Sequence, residues 1–353
     1  MKILHVAYFG KDKLNGISHV VLALAEEQRA MGHNVKISIN TIHSIINNQE
    51  IIYTKKQREF YAFIESFNPD IVVFHSFYDF THYAFSKVLY RLNIPYVIMF
   101  HGGANVNNFN KSHLKKQIAN YLFFNSYVEK SNGVIYLNDA ESDKSIFKKQ
   151  QPNATIIPNG IDLPDIKFDN VKKNKIRFSF LGRLAVWTKG LDLLVSALNL
   201  IKSSEINNKI EFKFYGPKED DFYKELNNFG PLVEYCGYVS GDSKCEAFKK
   251  TDIFISPSRT EGMPVAILEA LSYGIPCIIT PQTNVESLIV SNKCGWVTSL
   301  DSNDIFKSIV SAYYDFIKNK EELFYNSRKS VEELTWFNIA NRHIAFYQSI
   351  IRQ

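Results

Sequence analysis

The residues best suited to chemistry fall in the run Glu261-Gly262-Met263-Pro264-Val265-Ala266-Ile267-Leu268-Glu269, which follows the apolar stretch Ile253–Ser256. Pro264 suits the first turn of a helix, where its missing N–H leaves no hydrogen bond unmade. The amides of Gly262, Met263 and Val265 then gather at a positive helix end that favours anionic oxygens. Glu261 stands just before that end. Glu269 lies five residues past Pro264, roughly 7.5 Å along a helix axis at 1.5 Å per residue, so the two carboxylates suit different parts of a long ligand. Upstream, Gly182-Arg183 leaves a strand and Lys189-Gly190 opens a helix. Two cations at a strand end can offset the charge that grows on a diphosphate leaving group, a task that many transferases give to a divalent metal. No DxD triplet occurs, and Glu219-Asp220-Asp221 reads as a helix opening, where carboxylates are favourable without a ligand. The expectation is therefore transfer of a group from a diphosphate, with no metal and no cofactor.

The first half offers His101 between Phe100 and Gly102-Gly103, His75 at the end of another apolar run, and Asn15-Gly16 before a helix pattern. A histidine ending a buried strand is also a common packing residue, and His75 fits either an acceptor contact or a support. Glu269 alone reads as a solvated helix carboxylate, and Arg183 and Lys189 alone read as surface cations. A glycine beside each of those cations permits close approach of a ligand to the backbone.

These residues need a scaffold, and the pattern supplies one. At 353 residues the chain exceeds what one core usually supports, and its 45% hydrophobic and 22% charged residues are globular in kind. Short apolar runs alternate with amphipathic stretches throughout, which predicts an α/β protein with parallel sheets covered by helices. Strands are predicted at Ile3–Phe9, Val35–Ile39, Ile71–His75, Tyr96–Phe100, Gly133–Leu137 and Thr155–Ile157, then at Ile176–Leu181, Ile210–Tyr215, Leu232–Cys236, Ile253–Ser256 and Pro276–Thr280. Ile17–Met31 carries Ile17, Val20, Val21, Leu24 and Gln28 at helical spacing and is closed by Gly32. Trp336–Ile351 spaces Phe337, Ala340, Ile344, Tyr347 and Ile351 as a second amphipathic helix. The turn Pro158-Asn159-Gly160-Ile161-Asp162 and the polar stretch after it read as a linker. Two Rossmann-like domains follow, at 1–165 and 166–335, with the 336–353 helix packing back on the first. Open sheets facing each other across a cleft would bind ligands at the carboxyl ends of their strands.

The formal charge of +5 is modest and spread along the chain, which argues against a nucleic-acid partner. Cys236, Cys245, Cys277 and Cys294 lack metal-ligand or disulfide-framework spacing and read as reduced core residues. No signal-peptide pattern opens the chain and no run of 18 apolar residues occurs, so a cytoplasmic location, with contact at the inner membrane face as one option, is expected. Lys111, Lys115, Lys116 and Lys130 interleave with Tyr121, Phe123, Phe124 and Tyr127. That stretch fits an interfacial helix serving lipid-linked acceptors and an ordinary helix packed by its aromatics equally well.

The glutamate pair with seven residues between, Gly-Arg followed by Lys-Gly, the Pro-Asn-Gly-Ile-Asp turn, Asn15-Gly16 and Phe100-His101-Gly102 together resemble glycosyltransferase family 4 over nearly the whole chain. The resemblance implies the GT-B fold and a retaining transfer from a nucleotide sugar, most often a UDP-sugar, held chiefly by the second domain. It assigns Arg183 and Lys189 to the diphosphate and Glu269 to the ribose hydroxyls. Glu261 and the amides from Gly262 to Val265 fall to the transferred sugar, and Gly16 to the diphosphate from the first domain. His101 falls near the anomeric carbon. A lipid-linked oligosaccharide in cell-surface polysaccharide synthesis is the acceptor it implies. The chain departs from the family in Asn15 before Gly16, in Thr283-Asn284 where two glycines often precede a glutamate, and in Met263 where an aromatic residue is frequent. A nicotinamide-dependent oxidoreductase lacks its GxGxxG here. A nucleotide-sugar 2-epimerase and a silent subunit that binds sugar nucleotides are the remaining rivals.

Overall fold

The computed structural model describes residues 1–9, 16–40, 50–103, 113–148, 150, 153–169, 174–217 and 221–352. They form two compact units, residues 1–160 with 336–353, and residues 161–335.

Unit 1 holds a seven-stranded, wholly parallel sheet: β1 (Lys2–Ala7), β2 (Asn34–Ile39), β3 (Ile51–Tyr53), β4 (Ile71–His75), β5 (Tyr96–Met99), β6 (Gly133–Tyr136) and β7 (Ala154–Ile156), in the order β3-β2-β1-β4-β5-β6-β7. The central strands are buried along their whole length, as in β4 (Ile-Val-Val-Phe-His), because helices cover both faces of a parallel sheet. Unit 2 repeats the topology with six parallel strands: β8 (Ile176–Leu181), β9 (Ile210–Tyr215), β10 (Val233–Gly237), β11 (Ile253–Ser256), β12 (Cys277–Ile279) and β13 (Gly295–Val297), in the order β10-β9-β8-β11-β12-β13. In both sheets the strand order reverses beside the first strand, between β1 and β4 and between β8 and β11. The carboxyl ends flanking such a reversal are where a doubly wound sheet binds ligands.

Eleven strands are predicted and thirteen lie among the described residues; the two missed, β3 and β13, are three-residue edge strands too short to show a period. The first helix runs Gly16–Ala30, and Gly32 follows in the left-handed region at φ 84°. The last helix, Trp336–Ile351, packs on Gly16–Ala30 within unit 1. Its buried stripe is Trp336, Ile339, Ala340, His343, Ile344, Tyr347 and Ile350, whereas Phe337 and Ile351 lie outside it at 57% and 40% exposure. Two glycines make room for this helix: a Cβ on Gly160 would lie 2.2 Å from the Trp336 ring, and one on Gly133 would lie 2.7 Å from Phe346. The Pro-Asn-Gly-Ile-Asp turn is thus also a packing site. The chain leaves unit 1 at Gly160–Ile161 and re-enters it at Thr335–Trp336. Cys277 and Cys294 are buried, but Cys236 and Cys245 are only half-buried, and all four are free thiols.

Candidate active site

In unit 2 the site is built on the carboxyl ends of β8 and β11. After β8 come Gly182 and the exposed Arg183, then the single turn Val186–Lys189. Gly190 closes that turn at φ 63°, and a Cβ there would meet the Pro257 carbonyl oxygen at 2.0 Å. This glycine is therefore required by the loop after β11 rather than by a ligand, which revises the reading of Lys189-Gly190. The close approach sets Lys189 Nζ against Glu261 Oε1 in a half-buried ion pair. Ser258 Oγ donates to the same Glu261 oxygen at 2.9 Å, and Ser256 Oγ lies 3.3 Å from Ser258 Oγ.

Sequence reasoning missed the clamp behind this pair. Arg259 donates to both carboxylate oxygens of Asp192 at 2.6 and 2.7 Å and to the Trp187 carbonyl at 2.7 Å. Its backbone N–H donates to the Thr188 carbonyl at 2.8 Å. The Arg259 guanidinium holds the Asp192 carboxyl below its ordinary range. A planar fork matched to a carboxylate is the geometry arginine offers, and here it fastens the turn bearing Lys189 to the loop bearing Glu261. The only sequence signal was an Arg-Thr-Glu triplet after a strand, which has no period to betray it.

Thr283-Asn284, a departure from the family pattern, has a local account. Asn284 adopts the left-handed conformation at φ 60°, which asparagine tolerates better than most residues. From there its side-chain amide donates to the carbonyls of Glu261 and Gly262 at 2.7 and 3.2 Å. Pro264 stands one position earlier than predicted: it is the extended residue before the helix Val265–Ser272, and its carbonyl accepts from Ile267 N–H at 3.1 Å. Gly262, Met263 and Val265 are all half-buried, and Met263 packs on a core of Ile267, Leu268 and Leu271. Glu269, on the helix after Pro264, is ion-paired with Lys244, a partner that sequence reasoning did not single out. Arg183, Lys189, Glu261 and Glu269 thus belong to one unit, with Lys189 and Glu261 directly joined and Glu269 held separately.

In unit 1, Gly16 is the exposed first residue of its helix, with nothing within 4 Å of a Cβ added there; Asn15 lies outside the described residues. His75 and His101 end β4 and follow β5, and they meet: His75 Nδ1 lies 3.0 Å from His101 Nε2. His75 is fully buried and its other nitrogen, Nε2, lies 2.8 Å from His5 Nδ1, so both ring nitrogens are occupied by histidines. Both ring nitrogens of His75 are thus committed within unit 1. His101 has φ 50° and Ser76, which follows His75 in the chain, has φ 77°, left-handed backbones that non-glycine residues hold only where the surroundings fix them. Gly102 N–H donates to the fully buried carboxylate of Glu141, which also accepts from Leu137 N–H at 2.7 Å. Burial pushes the Glu141 carboxyl up and pulls the imidazoles of His5 and His101 down to about 4. His101 is consequently neutral at physiological pH.

The helical stretch His113–Glu129 contains a π-helical turn at Asn120–Phe124. Phe124 and Tyr127 are core residues, while Tyr121 is 82% exposed, with Ile118, Leu122 and Phe80 also exposed. Lys116 lies over the Tyr78 ring and Lys130 over the Tyr90 ring. Lys111 and the side chain of Lys115 lie outside the described residues. Among the described residues no helix is long and apolar enough to cross a membrane.

Comparison with known proteins gives a consistent picture. The family described as Glycosyltransferase Family 4 matches residues 14–164, and that described as Glycosyl transferases group 1 matches residues 175–315. An uncharacterized glycosyltransferase of Methanocaldococcus jannaschii is 23% identical over 294 residues, 76% of this chain and 73% of its own length. The Escherichia coli UDP-Gal:alpha-D-GlcNAc-diphosphoundecaprenol alpha-1,3-galactosyltransferase is 30% identical over 168 residues, 43% of each chain. Among solved structures, Anabaena HepE in complex with UDP and glucose superposes with a TM-score of 0.78 at 15% identity, over 99% of this chain and 100% of its own.

Proposed function

Because the chain belongs to glycosyltransferase family 4 and is a glycosyltransferase of the GT-B fold, we propose that it moves a hexose from a UDP-sugar, with retention at the anomeric carbon, onto a hydroxyl of a lipid-linked oligosaccharide. The observation that carries this reading is the Lys189–Glu261 pair, braced by Ser258 and by the Arg259–Asp192 clamp at the strand reversal of unit 2. A diphosphate exchanges places with Glu261 on Lys189, which frees the Glu261 carboxylate for the hydroxyls of the transferred sugar. Arg183 adds the second cation, and Glu269 turns from Lys244 to the ribose.

In the reaction the C1–O bond to the diphosphate breaks and a C1–O bond to the acceptor forms on the same face. The acceptor's proton passes to the departing phosphate oxygen. Positive charge develops on the sugar ring and negative charge on the leaving group, so a carboxylate and cations on opposite sides of the bond lower the barrier together. Lys189 and Arg183 supply the positive charge, and no metal ion is required.

The UDP-sugar preference draws support from the Escherichia coli relative, whose name states UDP-Gal as donor and a diphosphoundecaprenol-linked acceptor. That acceptor class, and a role in cell-surface polysaccharide synthesis, come to this chain through the same likeness. The exposed Phe80, Ile118, Tyr121 and Leu122, with Lys116 over the Tyr78 ring and Lys130 over the Tyr90 ring, give the chain a means of resting on an anionic membrane where such acceptors reside.

Purified protein incubated with UDP-hexoses and an undecaprenyl-diphosphate-linked acceptor, in the presence of EDTA, tests the proposal by mass spectrometry of the product. One added hexose, with release of UDP, is the expected result. Transfer that needs added metal, or from GDP-sugars alone, would refute the donor and metal statements. No UDP release with any acceptor would favour the silent-subunit alternative.

A further inference from the structure

Unit 1 contains an unbroken line of hydrogen bonds that runs from the buried Gln28 to the half-buried His101. Gln28 Oε1 lies 2.8 Å from His5 Nε2, His5 Nδ1 lies 2.8 Å from His75 Nε2, and His75 Nδ1 lies 3.0 Å from His101 Nε2. Gln28, His5 and His75 are fully buried, on the first helix, on β1 and on β4 respectively. A neutral imidazole has one N–H and one lone pair, so each ring can donate in only one direction along the line. The three rings must therefore agree. Either all carry the proton on Nε2 and point it towards Gln28, or all carry it on Nδ1 and point it towards His101. The Gln28 amide turns its carbonyl oxygen to His5, and an oxygen accepts and cannot donate, which selects the first arrangement; the opposite orientation of the amide would select the second.

We infer that Gln28, acting through His5 and His75, fixes His101 as its Nε2–H tautomer, so that His101 presents Nδ1 to the ligand as a hydrogen-bond acceptor for a sugar hydroxyl. Gln28, His5 and His75 are positioning residues in this account. It rests on the proposed placement of His101 beside the transferred sugar and adds to it the polarity of that contact. An acceptor at this point pairs with a hydroxyl and repels a phosphate oxygen, so it discriminates between the two ends of the donor.

The surroundings keep the line neutral. Burial lowers the basicity of all three imidazoles and outweighs the Gln28 hydrogen bond, which raises that of His5; His82 from the helix Phe80–Arg91, Arg29 from the first helix and His343 from the last helix lower it further wherever they act. His343 is itself buried, with Nδ1 3.1 Å from the Tyr347 hydroxyl and a basicity depressed by burial and by Arg342. The left-handed backbones of Ser76 and His101 hold the last two rings in register.

Nuclear magnetic resonance of the full-length protein labelled with 15N-histidine tests the inference, since protonated and unprotonated ring nitrogens differ strongly in shift. His5, His75 and His101 are expected to be neutral and protonated on Nε2. In Gln28→Leu, which removes the acceptor, His101 is expected to become a mixture of tautomers. The apparent donor affinity should then fall in proportion to the lost fraction, about a twofold rise in donor KM at an even mixture. Gln28→Glu restores an acceptor at the same place and should restore the single tautomer. Protonation of His101 on Nδ1 in the wild type, or an unaltered tautomer in Gln28→Leu, would overturn the inference, and the wild-type spectrum decides even where that variant fails to fold. Full transfer by His101→Ala would instead overturn the functional reading of His101, whatever the spectrum shows.

Discussion

The two units solve the same problem, presenting polar groups at the carboxyl ends of a parallel sheet, in opposite ways. Unit 1 buries most of its groups and keeps the histidines uncharged: His5, His75 and Gln28 are fully buried and linked in a line that ends at the half-buried His101. Unit 2 keeps its groups charged and half-exposed, with Lys189 against Glu261, Lys244 against Glu269 and Arg259 against Asp192. Half-exposed ion pairs contribute little to stability because water and salt screen them, so their partners can be exchanged for those of a ligand at small cost. Buried neutral links cannot be exchanged without leaving a polar group unsatisfied. The difference teaches a division of labour, in which unit 2 carries exchangeable charge and unit 1 carries a fixed, directional line of hydrogen bonds.

The largest effect that would sharpen this contrast is on turnover. Glu261→Ala should lower transfer and donor hydrolysis by about 10²–10³-fold, the scale of one preorganised charge-stabilising group, while the melting temperature barely changes. Steady-state kinetics alongside thermal unfolding checks both halves of the statement.

Next in size is the response of each unit to acid. His5 and His101 titrate at about 4 in the folded chain but near 6.5 when unfolded, so between those values the unfolded state binds more protons. Stability in unit 1 is therefore complete above about pH 6.5 and is lost as pH falls towards 4. At 1.36 kcal/mol per pKa unit, the loss is on the order of 3 kcal/mol for each such histidine. Asp192, held below its ordinary value by Arg259, contributes stability that is present above its unfolded pKa near 4 and is lost only below it. Hydrogen exchange at pH 7 and pH 5 should show amides of β1, β4 and β5 losing protection while those of β8 and β11 hold theirs. Equal loss in both units would break the contrast.

A smaller effect lies in the loop that Asn284 fastens. Asn284→Ala removes two hydrogen bonds to the Glu261 and Gly262 carbonyls and places alanine at a positive φ. It should destabilise by about 1–2 kcal/mol. Asn284→Gly keeps the backbone conformation and should recover part of that, measured by urea titration, with UDP affinity following the same order.

Much of this was legible in the sequence, for reasons that also explain the gaps. Strands such as Ile71–His75 and Ile253–Ser256 are buried on both faces and so read as continuous apolar runs. The edge strands β3 and β13 are three residues long and carry no such signal. The Lys189–Glu261 pair joins residues 72 apart, and a motif can nominate both partners without stating that they touch. Lys244, Arg259 and Asp192 escaped notice because a charged residue on a helix or loop looks the same whether it is solvated or clamped. The histidine line escaped because His5 and Gln28 sit at positions where apolar residues fit the period equally well, and only the parallel pairing of β1 with β4 brings His5 beside His75. In the last helix Ala340, Ile344 and Tyr347 are buried as the period predicts, whereas Phe337 and Ile351 flank a stripe whose ends are Trp336 and Ile350.

The claim that unit 2 grips the diphosphate through Lys189 is tested most directly by titration calorimetry of UDP into the wild-type chain and into Lys189→Met, both at fixed ionic strength with EDTA. The substitution keeps the length of the side chain and removes its charge, so the account predicts UDP binding weakened by about tenfold to a hundredfold, the scale of one charge-assisted hydrogen bond. Equal affinity in the two proteins, or wild-type binding that disappears with EDTA, would contradict it.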